Sequence, residues 1–250
     1  MDEPIRIAKD AGGSSRSQAN PNRRQGPRGP GSHIVSRLHK KTPSLLSFAN
    51  KDLENQILRE VEACEILRKN PHPNIATYYG YQETNGRISG LCFKRYASTL
   101  LEAVNPGYWN KVAFRASARE LVTEAMKRNL QGILAAIKHL HSLGLVHNDI
   151  NPANVMIDKD GTFILIDFGS CRSIGEPLGT AGRTHHWYDD SVEVSLEKND
   201  LDAFKELQTW LTGSVDEDFL LSELHAAPVD KPAPIIAIDS NPIRSNRIIT

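Results

Sequence analysis

The sequence has few cysteines, no net charge and no long apolar run, and each absence argues against a class of protein. Its three cysteines, Cys64, Cys92 and Cys171, include no CxxC pair, which argues against a disulfide framework or a zinc site. Thirty basic residues balance thirty acidic ones, so no global field attracts nucleic acid or an anionic membrane. No stretch approaches the roughly 20 apolar residues that span a bilayer, and the first residues lack the apolar centre of a signal peptide. We therefore expect an intracellular protein, cytoplasmic or nuclear, that binds neither nucleic acid nor membrane.

Both ends of the chain are poor in the residues that build a core. Residues 11–32 contain no large apolar side chain, so they cannot offset the entropy lost on ordering. We predict a disordered N-terminal tail over residues 1–32 and a flexible, proline-rich C-terminal tail over residues 226–250. The remaining length is enough to bury one sizeable core, because 39% of the chain is hydrophobic.

Between the tails, hydrophobic periodicity predicts a β-rich part followed by a helical part. The predicted elements are a strand within residues 33–41, a helix over 52–69, strands at 76–82 and 88–93, a helix over 116–143, strands at 155–157 and 163–166, and one or two helical turns over 219–224. Asn85-Gly86 and Asp160-Gly161 stand between paired strand runs and predict two hairpins. Gly144 is expected to end the long helix.

The chemically informative stretch combines a polar loop with an acidic residue at the end of a strand. Asp149 and Asn154 are five residues apart on one loop, and Asp167 follows the apolar run at 163–166. Magnesium prefers oxygen ligands such as carboxylates and amide oxygens, which fits Asn154 and Asp167. Phosphoryl transfer needs this metal beside the nucleotide phosphates and a group that orients the attacking hydroxyl. Asp149 is left to face the acceptor.

This stretch resembles the motifs of the eukaryotic protein kinase superfamily. His147-Asn148-Asp149 through Asn154 is similar to the catalytic loop H-R-D-L-x-x-x-N, and Asp167-Phe168-Gly169 is an intact D-F-G. The resemblance implies an α+β, protein-kinase-like two-lobe fold. Its small β-rich N-lobe would cover residues 33–96 and its mostly helical C-lobe residues 97–225, both shortened.

The resemblance also implies a nucleotide site around the loop. The expected nucleotide contacts are Lys41, Glu60, Phe93, Lys94, Tyr96, Asn154 and Asp167. Phe93, Lys94 and Tyr96 occupy the hinge position, where adenine would contact backbone. The helix that begins near Asn199 is similar to the one whose Asp braces the catalytic loop.

Lys41 and Glu60 are expected to form the ion pair that holds the nucleotide phosphates. They lie 19 residues apart, with Glu60 on the predicted helix. Glu62 remains an alternative to Glu60. Lys40 and Lys51 remain alternatives to Lys41.

Several positions depart from the family pattern. No glycine-rich loop precedes Lys41, which predicts weak ATP binding. Asn148 replaces the arginine that pairs with a phosphate on the activation loop, so switching by loop phosphorylation is not expected, although Thr184 and other hydroxyls are available. Asn151 replaces a lysine that helps neutralise the transferred phosphoryl group. Trp187 begins the segment that stands where A-P-E is expected, and no Glu follows there.

These observations predict an active protein kinase that uses ATP and Mg²⁺ and acts on a protein substrate. Asp149, Asn154 and Asp167 are the expected catalytic residues, and Ser or Thr is favoured over Tyr as the acceptor. One alternative is a pseudokinase or scaffold that binds nucleotide or partners without catalysis. Another is a small-molecule kinase of the aminoglycoside or choline kinase type. The residues indicate no oligomeric state.

Overall fold

The computed structural model of the protein describes residues 38–42 and 53–221. The predicted tails, most of the region ahead of Lys41 and the alternative Lys51 lie outside these residues. No helix of the described ranges is both long and apolar enough to cross a membrane.

A three-stranded antiparallel sheet and one helix form the N-lobe of the described chain. The strands are β1 (Leu38–Lys41), β2 (Tyr78–Thr84) and β3 (Arg87–Lys94), in the order β1-β3-β2, and helix α1 spans Leu53–Lys69. Asn85 and Gly86 both have positive φ, 52° and 76°, as a two-residue type I′ hairpin requires. The predicted hairpin is therefore confirmed.

The start of β2 differs from the prediction by two residues. Ala76 does not join the N-lobe sheet, because its amide donates to the carbonyl of Leu165 (2.9 Å). Ile75 forms an isolated bridge with the same residue. These contacts join the chain just after α1 to the second hairpin, a pairing that local sequence does not encode.

The C-lobe combines helices with short two- and three-residue strands. Its elements are β4 (Ser98–Thr99), α2 (Leu100–Val104), α3 (Lys111–Ala116), α4 (Glu124–Ser142), β5 (Leu145–Val146), β6 (Val155–Ile157), β7 (Phe163–Leu165), β8 (Arg172–Ser173) and α5 (Glu197–Thr212). Strands β4, β6 and β7 form one antiparallel sheet, and β5 pairs with β8. The predicted hairpin around Asp160-Gly161 is confirmed.

Helix α4 begins later than the sequence predicts. Residues 111–116 form the separate helix α3, and Arg119 has a left-handed backbone (φ 47°) that ends any continuous helix there. The side chain of Thr123 then accepts a hydrogen bond from the amide of Met126 and caps α4. The helix ends before Gly144, which has φ 76°, as predicted. The prediction of one helix from residue 116 was wrong because side-chain capping outweighed continuous apolar periodicity.

The predicted helical turns over 219–224 are not formed in the part of that range that the structure describes, residues 219–221. The amides of Leu220 and Leu221 instead donate to the Glu206 carboxylate on α5 (2.9 and 3.1 Å). A buried acceptor on another element therefore outweighs the local helical pattern.

Candidate active site

Asp200, near the start of α5, fixes the backbone of the loop between β5 and β6. Its carboxylate is fully buried and accepts hydrogen bonds from the amides of His147 (2.8 Å) and Asn148 (2.7 Å). His141 Nε2 lies 3.0 Å from the same group. The expected brace from this helix is therefore present in the structure.

Asn148 holds the loop without any charge. It is buried and has a left-handed backbone, φ 64°. Its Nδ2 donates to Val146 O (3.1 Å) and Ser195 Oγ (2.9 Å), and its Oδ1 accepts from Asn199 Nδ2 (3.0 Å). The Asn148 side chain thus hydrogen-bonds to protein groups at both ends of its amide.

His147 is a structural part of the loop. The ring is buried, its Nε2 lies 2.9 Å from the carbonyl of Ile166, and its Nδ1 accepts from the amide of Asp149 (3.3 Å). These contacts assign the proton to Nε2, since a carbonyl oxygen can only accept. The Phe168 ring packs edge-on against the imidazole, with centroids 5.5 Å apart.

The open end of the second hairpin brings three predicted site residues together: Asp149, Asn154 and Asp167. Asn154 Nδ2 donates to Asp149 Oδ2 (2.7 Å), and the amide of Ile166 donates to Asn154 O (3.0 Å). This backbone bond places Asp167 directly beside Asn154. No described residue donates to Asn154 Oδ1, which therefore remains available as an oxygen ligand.

Asp167 has an unusual backbone conformation, and its two carboxylate oxygens differ in their hydrogen bonds. Its φ is 62°, and its Oδ1 accepts from the amide of Gly169 (3.2 Å) and from Lys41 Nζ (2.7 Å). Among the described residues, none donates to Oδ2. An amide oxygen and a carboxylate oxygen on neighbouring residues suit Mg²⁺, so Asn154 and Asp167 fit the metal that the resemblance implies.

Lys41 joins the two lobes through two carboxylates. Its Nζ lies 2.7 Å from Glu60 Oε1 on α1 and 2.7 Å from Asp167 Oδ1. Of the alternatives, Lys40 and Glu62 are exposed, and Lys51 lies outside the described residues. The structure thus forms the pair between Lys41 and Glu60.

Burial and charge act against each other within this trio. Burial lowers the pKa of Lys41, but the two carboxylates outweigh it and raise that pKa above its ordinary value. Burial raises the pKa of Glu60, and Lys41 does not fully offset it. Burial also acts to raise the pKa of Asp167, but the Lys41 ammonium outweighs it and holds that pKa below its usual value.

The hinge side chains are occupied by protein contacts. Phe93 and Tyr96 are buried, and Tyr96 Oη accepts from the amide of Thr77 (3.0 Å). Lys94 Nζ pairs with Asp158 Oδ2 (2.6 Å) at the end of β6. The three hinge side chains that the sequence assigned to a nucleotide site therefore make protein contacts in the structure, and the Lys94 amide also donates to the carbonyl of Thr77 (2.9 Å).

Thr184 is a site residue that sequence reasoning named only as an available hydroxyl. Its amide donates to Asp149 Oδ1 (2.8 Å), across 35 residues of sequence. Residues 174–183, which lead to Thr184, form no named helix or strand, so no periodicity or motif spacing marks this contact. Asn151, which the sequence marked as a departure from the family, bonds to both residues.

Comparisons with known proteins agree with this geometry. The family model for the protein kinase domain matches residues 40–189, and the chain belongs to the protein kinase family. It is 32% identical over 149 residues to the serine/threonine-protein kinase/endoribonuclease IRE1 of Hypocrea jecorina, covering 54% of this chain and 10% of that one. It is 28% identical over 114 residues to the serine/threonine-protein kinase AGC1-5 of Arabidopsis thaliana, covering 46% and 18%. The chain thus spans under a fifth of the length of either relative.

A solved structure shows the same fold. The crystal structure of the yeast RNA Pol II CTD kinase CTDK-1 complex aligns with a TM-score of 0.51 and 16% identity, covering 70% of this chain and 53% of that one. The two-lobe protein kinase fold expected from the sequence is therefore confirmed.

Proposed function

We propose that the chain is an ATP- and Mg²⁺-dependent protein kinase that transfers the γ-phosphate to a protein hydroxyl, with Ser or Thr favoured over Tyr. One observation carries the proposal: Asp149, Asn154 and Asp167 converge in one site with the Lys41–Glu60 ion pair. The family match and the names of the relatives favour a protein kinase over a small-molecule kinase.

Each residue has a distinct role in this proposal. Asn154 and Asp167 would hold Mg²⁺, which neutralises phosphate charge when bound. Lys41, oriented by Glu60, presents its ammonium to the phosphates. Asp149 accepts a hydrogen bond from the acceptor hydroxyl and orients its oxygen toward the γ-phosphorus. The new bond joins that oxygen to phosphorus, the bond to the bridging oxygen of ADP breaks, and the hydroxyl proton passes through Asp149 to solvent.

The decisive experiment measures transfer of labelled γ-phosphate from Mg·ATP to the chain itself and to generic acidic and basic proteins. Asp149→Asn should lower the rate by at least roughly 10²-fold, because a positioned general base contributes about that much. Asp190→Asn, which alters an exposed carboxylate, is the matched control and should leave the rate unchanged. Equal rates for wild type and Asp149→Asn would remove Asp149 from the mechanism.

A scaffold that binds nucleotide without transfer is the second candidate, and one observation favours it. Both oxygens of Asp149 already accept hydrogen bonds, Oδ1 from Thr184 N and Oδ2 from Asn154 Nδ2. A carboxylate has about four lone-pair sites, so an acceptor hydroxyl can still bind. A thermal-shift measurement, combined with the transfer assay, distinguishes the scaffold from the kinase. If the chain binds nucleotide, Mg·ATP at a hundredfold excess over Kd adds about 2.7 kcal/mol of stability. Stabilisation without transfer by folded wild-type protein would identify a scaffold.

A further inference from the structure

We propose that an apolar segment of this chain, residues 234–238, docks into a groove on the C-lobe. The segment reads Pro-Ile-Ile-Ala-Ile, and we name it the isoleucine segment. The groove is lined by residues 104–107, Trp109, Phe114 and residues 117–121, between α2, α3 and the turn before α4. We name it the α3 groove. The proposal is independent of the proposed kinase function, because docking requires no phosphoryl transfer.

Asn105 holds the part of the lining that carries Trp109. This asparagine is 3% exposed. Its Nδ2 donates to the Trp109 carbonyl (2.9 Å), and its Oδ1 accepts from the Trp109 amide (3.0 Å). Tyr108 between them has a left-handed backbone, φ 49°, and its amide donates to Asn105 O (3.0 Å). The main chain of Trp109 is therefore fixed, and this side of the groove is preformed.

The α3 groove presents apolar side chains to solvent. Trp109 is 55% exposed and Leu121 is 48% exposed, whereas Phe114 is buried and stacks on Trp210 of α5. An exposed aromatic side chain on a fixed backbone, beside a buried apolar one, is typical of a site that anchors partner side chains. The groove volume is about 260 Å³, below the roughly 300 Å³ at which small-molecule pockets begin. It therefore suits a few side chains of a peptide better than a whole cofactor.

The chain after α5 leads from one end of the groove to the other. Arg119, in the lining, donates to Gly213 O (2.7 Å) just after α5. Lys111, two residues after Trp109, donates from Nζ to Leu221 O (3.3 Å). Leu221, the last residue that the structure describes, thus lies beside the start of α3, close to the part of the lining that carries Trp109.

The isoleucine segment can reach the groove from this point. Ile235 follows Leu221 by 14 residues, and at about 3.3–3.6 Å per extended residue this tether spans up to roughly 45 Å. The apolar run at residues 45–48, by contrast, lies in the chain between β1 and α1 and is anchored at both ends in the N-lobe. The position of Leu221 therefore favours the isoleucine segment as the occupant.

The chemistry of the isoleucine segment matches the groove. Its three isoleucines bring branched apolar side chains to an apolar and aromatic lining. Pro234 restricts the backbone at its start and so reduces the entropy lost on docking. A short flexible tether also gives an effective concentration in the millimolar range, so a few apolar contacts are enough to favour this segment over a second copy of the chain.

Photocross-linking in the full-length chain tests the occupant directly. Benzoylphenylalanine replaces Ala118, an exposed residue of the lining, and mass spectrometry identifies the cross-linked residues. We expect a monomeric product joined within residues 230–241. Ile236→Asp should lower its yield at least tenfold, because an unpaired charge is unfavourable in an apolar groove. Ile248→Asp, the matched control outside the segment, should leave the yield unchanged.

A second pair of variants tests the groove itself. Leu121→Asp should lower the yield at least tenfold, whereas Val112→Asp, at an exposed position of α3 outside the lining, should not change it. Both residues are exposed, so circular dichroism should show the same fold in both variants. Cross-linked dimers in place of the monomeric product would assign the groove to a second copy and overturn the proposal. No cross-link within residues 222–250, or an equal yield in Ile236→Asp, would overturn it as well.

Competition by a peptide gives an independent readout. A fluorescein-labelled peptide of residues 230–241 should bind the full-length Ile236→Asp chain, in which the groove is free, and should raise fluorescence anisotropy. Wild type should bind it at least tenfold more weakly, because its own tethered segment competes at millimolar effective concentration. Equal affinity for the two chains, or binding to neither, would contradict docking within one chain. Neither readout uses phosphoryl transfer, so an inactive kinase would leave both results interpretable.

Discussion

At the scale of single residues, Lys41 sits between two carboxylates that differ in how burial and charge balance. Glu60 has a raised pKa because burial outweighs Lys41, whereas Asp167 has a lowered pKa because Lys41 outweighs burial. A carboxylate with a lowered folded-state pKa stabilises the fold above its unfolded pKa, and this contribution disappears as the pH falls through the folded value. Glu60 acts with the opposite sign: it favours the folded state most when protonated and becomes less favourable as pH rises.

Asp167→Asn should therefore alter the pH dependence of stability on the acid side. The difference in free energy of unfolding between wild type and variant should be largest at neutral pH. It should shrink as the pH falls below the ordinary carboxyl value of 3.8, because the unfolded state then takes up a proton while the folded Asp167 still remains ionised. Urea unfolding between pH 7 and pH 3 measures this, with the exposed Asp216→Asn as control. A difference that is constant across this range would contradict the lowered pKa.

At the scale of elements, α5 supports the catalytic loop through one buried carboxylate. Asp200→Asn leaves a poor acceptor opposite two loop amides, so the free energy of unfolding should fall by about 3 kcal/mol. Asp202→Asn on the same helix removes a partly exposed carboxylate paired with Lys198 and should change it by less than about 0.5 kcal/mol. Urea denaturation monitored by circular dichroism compares the two. If Asp200→Asn lowered the free energy of unfolding by less than about 1 kcal/mol, the loop would keep its conformation without Asp200.

The elements also show which features a sequence can predict. Helix α1, both hairpins and the end of α4 follow from local signals: apolar spacing, Asn85-Gly86 and Gly144. The start of α4 does not, because the cap at Thr123 and the turn at Arg119 interrupt an apolar pattern that continues across them.

The site residues likewise differ in whether local sequence predicts their contacts. Asp149, Asn154 and Asp167 share a motif of fixed spacing, so their convergence could be expected. The Lys41–Glu60 pair was one of several choices that only tertiary packing distinguishes. The contact of Thr184 was not predicted, since residues 174–183 form no named helix or strand and have no periodicity that indicates where the chain returns to the loop.

At the scale of the whole molecule, a buried ion pair joins separate parts of the C-lobe next to Trp187, where the A-P-E segment of the family was expected. Lys111 on α3 and Glu206 on α5 form a salt bridge with both side chains almost fully buried. The Lys111 ammonium also lies 4.8 Å from the centres of the Trp187 and Phe219 rings and donates to His186 O. The pair thus ties α3, the segment around Trp187 and the chain after α5 to one point.

A double-mutant cycle on this pair tests whether it holds the C-lobe together. Lys111→Met leaves the Glu206 carboxylate buried without its cation, and the free energy of unfolding should fall by about 3–5 kcal/mol. Glu206→Gln should lower the free energy of unfolding by a similar amount. The Lys111 ammonium then loses its carboxylate partner, and the acceptor for the Leu220 and Leu221 amides becomes weaker. The double variant should lose at least about 1 kcal/mol less than the sum of the single losses, because no unpaired charge remains buried.

The exposed pair Glu124 and Lys127 on α4 is the matched control for this cycle, and its coupling should be indistinguishable from zero because solvent screens both charges. Urea unfolding can be followed by tryptophan fluorescence in a variant that keeps only the buried Trp210, which stacks on Phe114 of α3 (4.2 Å) and so reports the α3–α5 contact. Additive losses at Lys111 and Glu206 would mean that apolar packing between α3 and α5 closes the C-lobe and that the ion pair contributes nothing beyond it. Strong coupling, together with an unchanged dependence of stability on urea concentration, would show that the pair stabilises the native C-lobe without changing how much surface unfolding exposes.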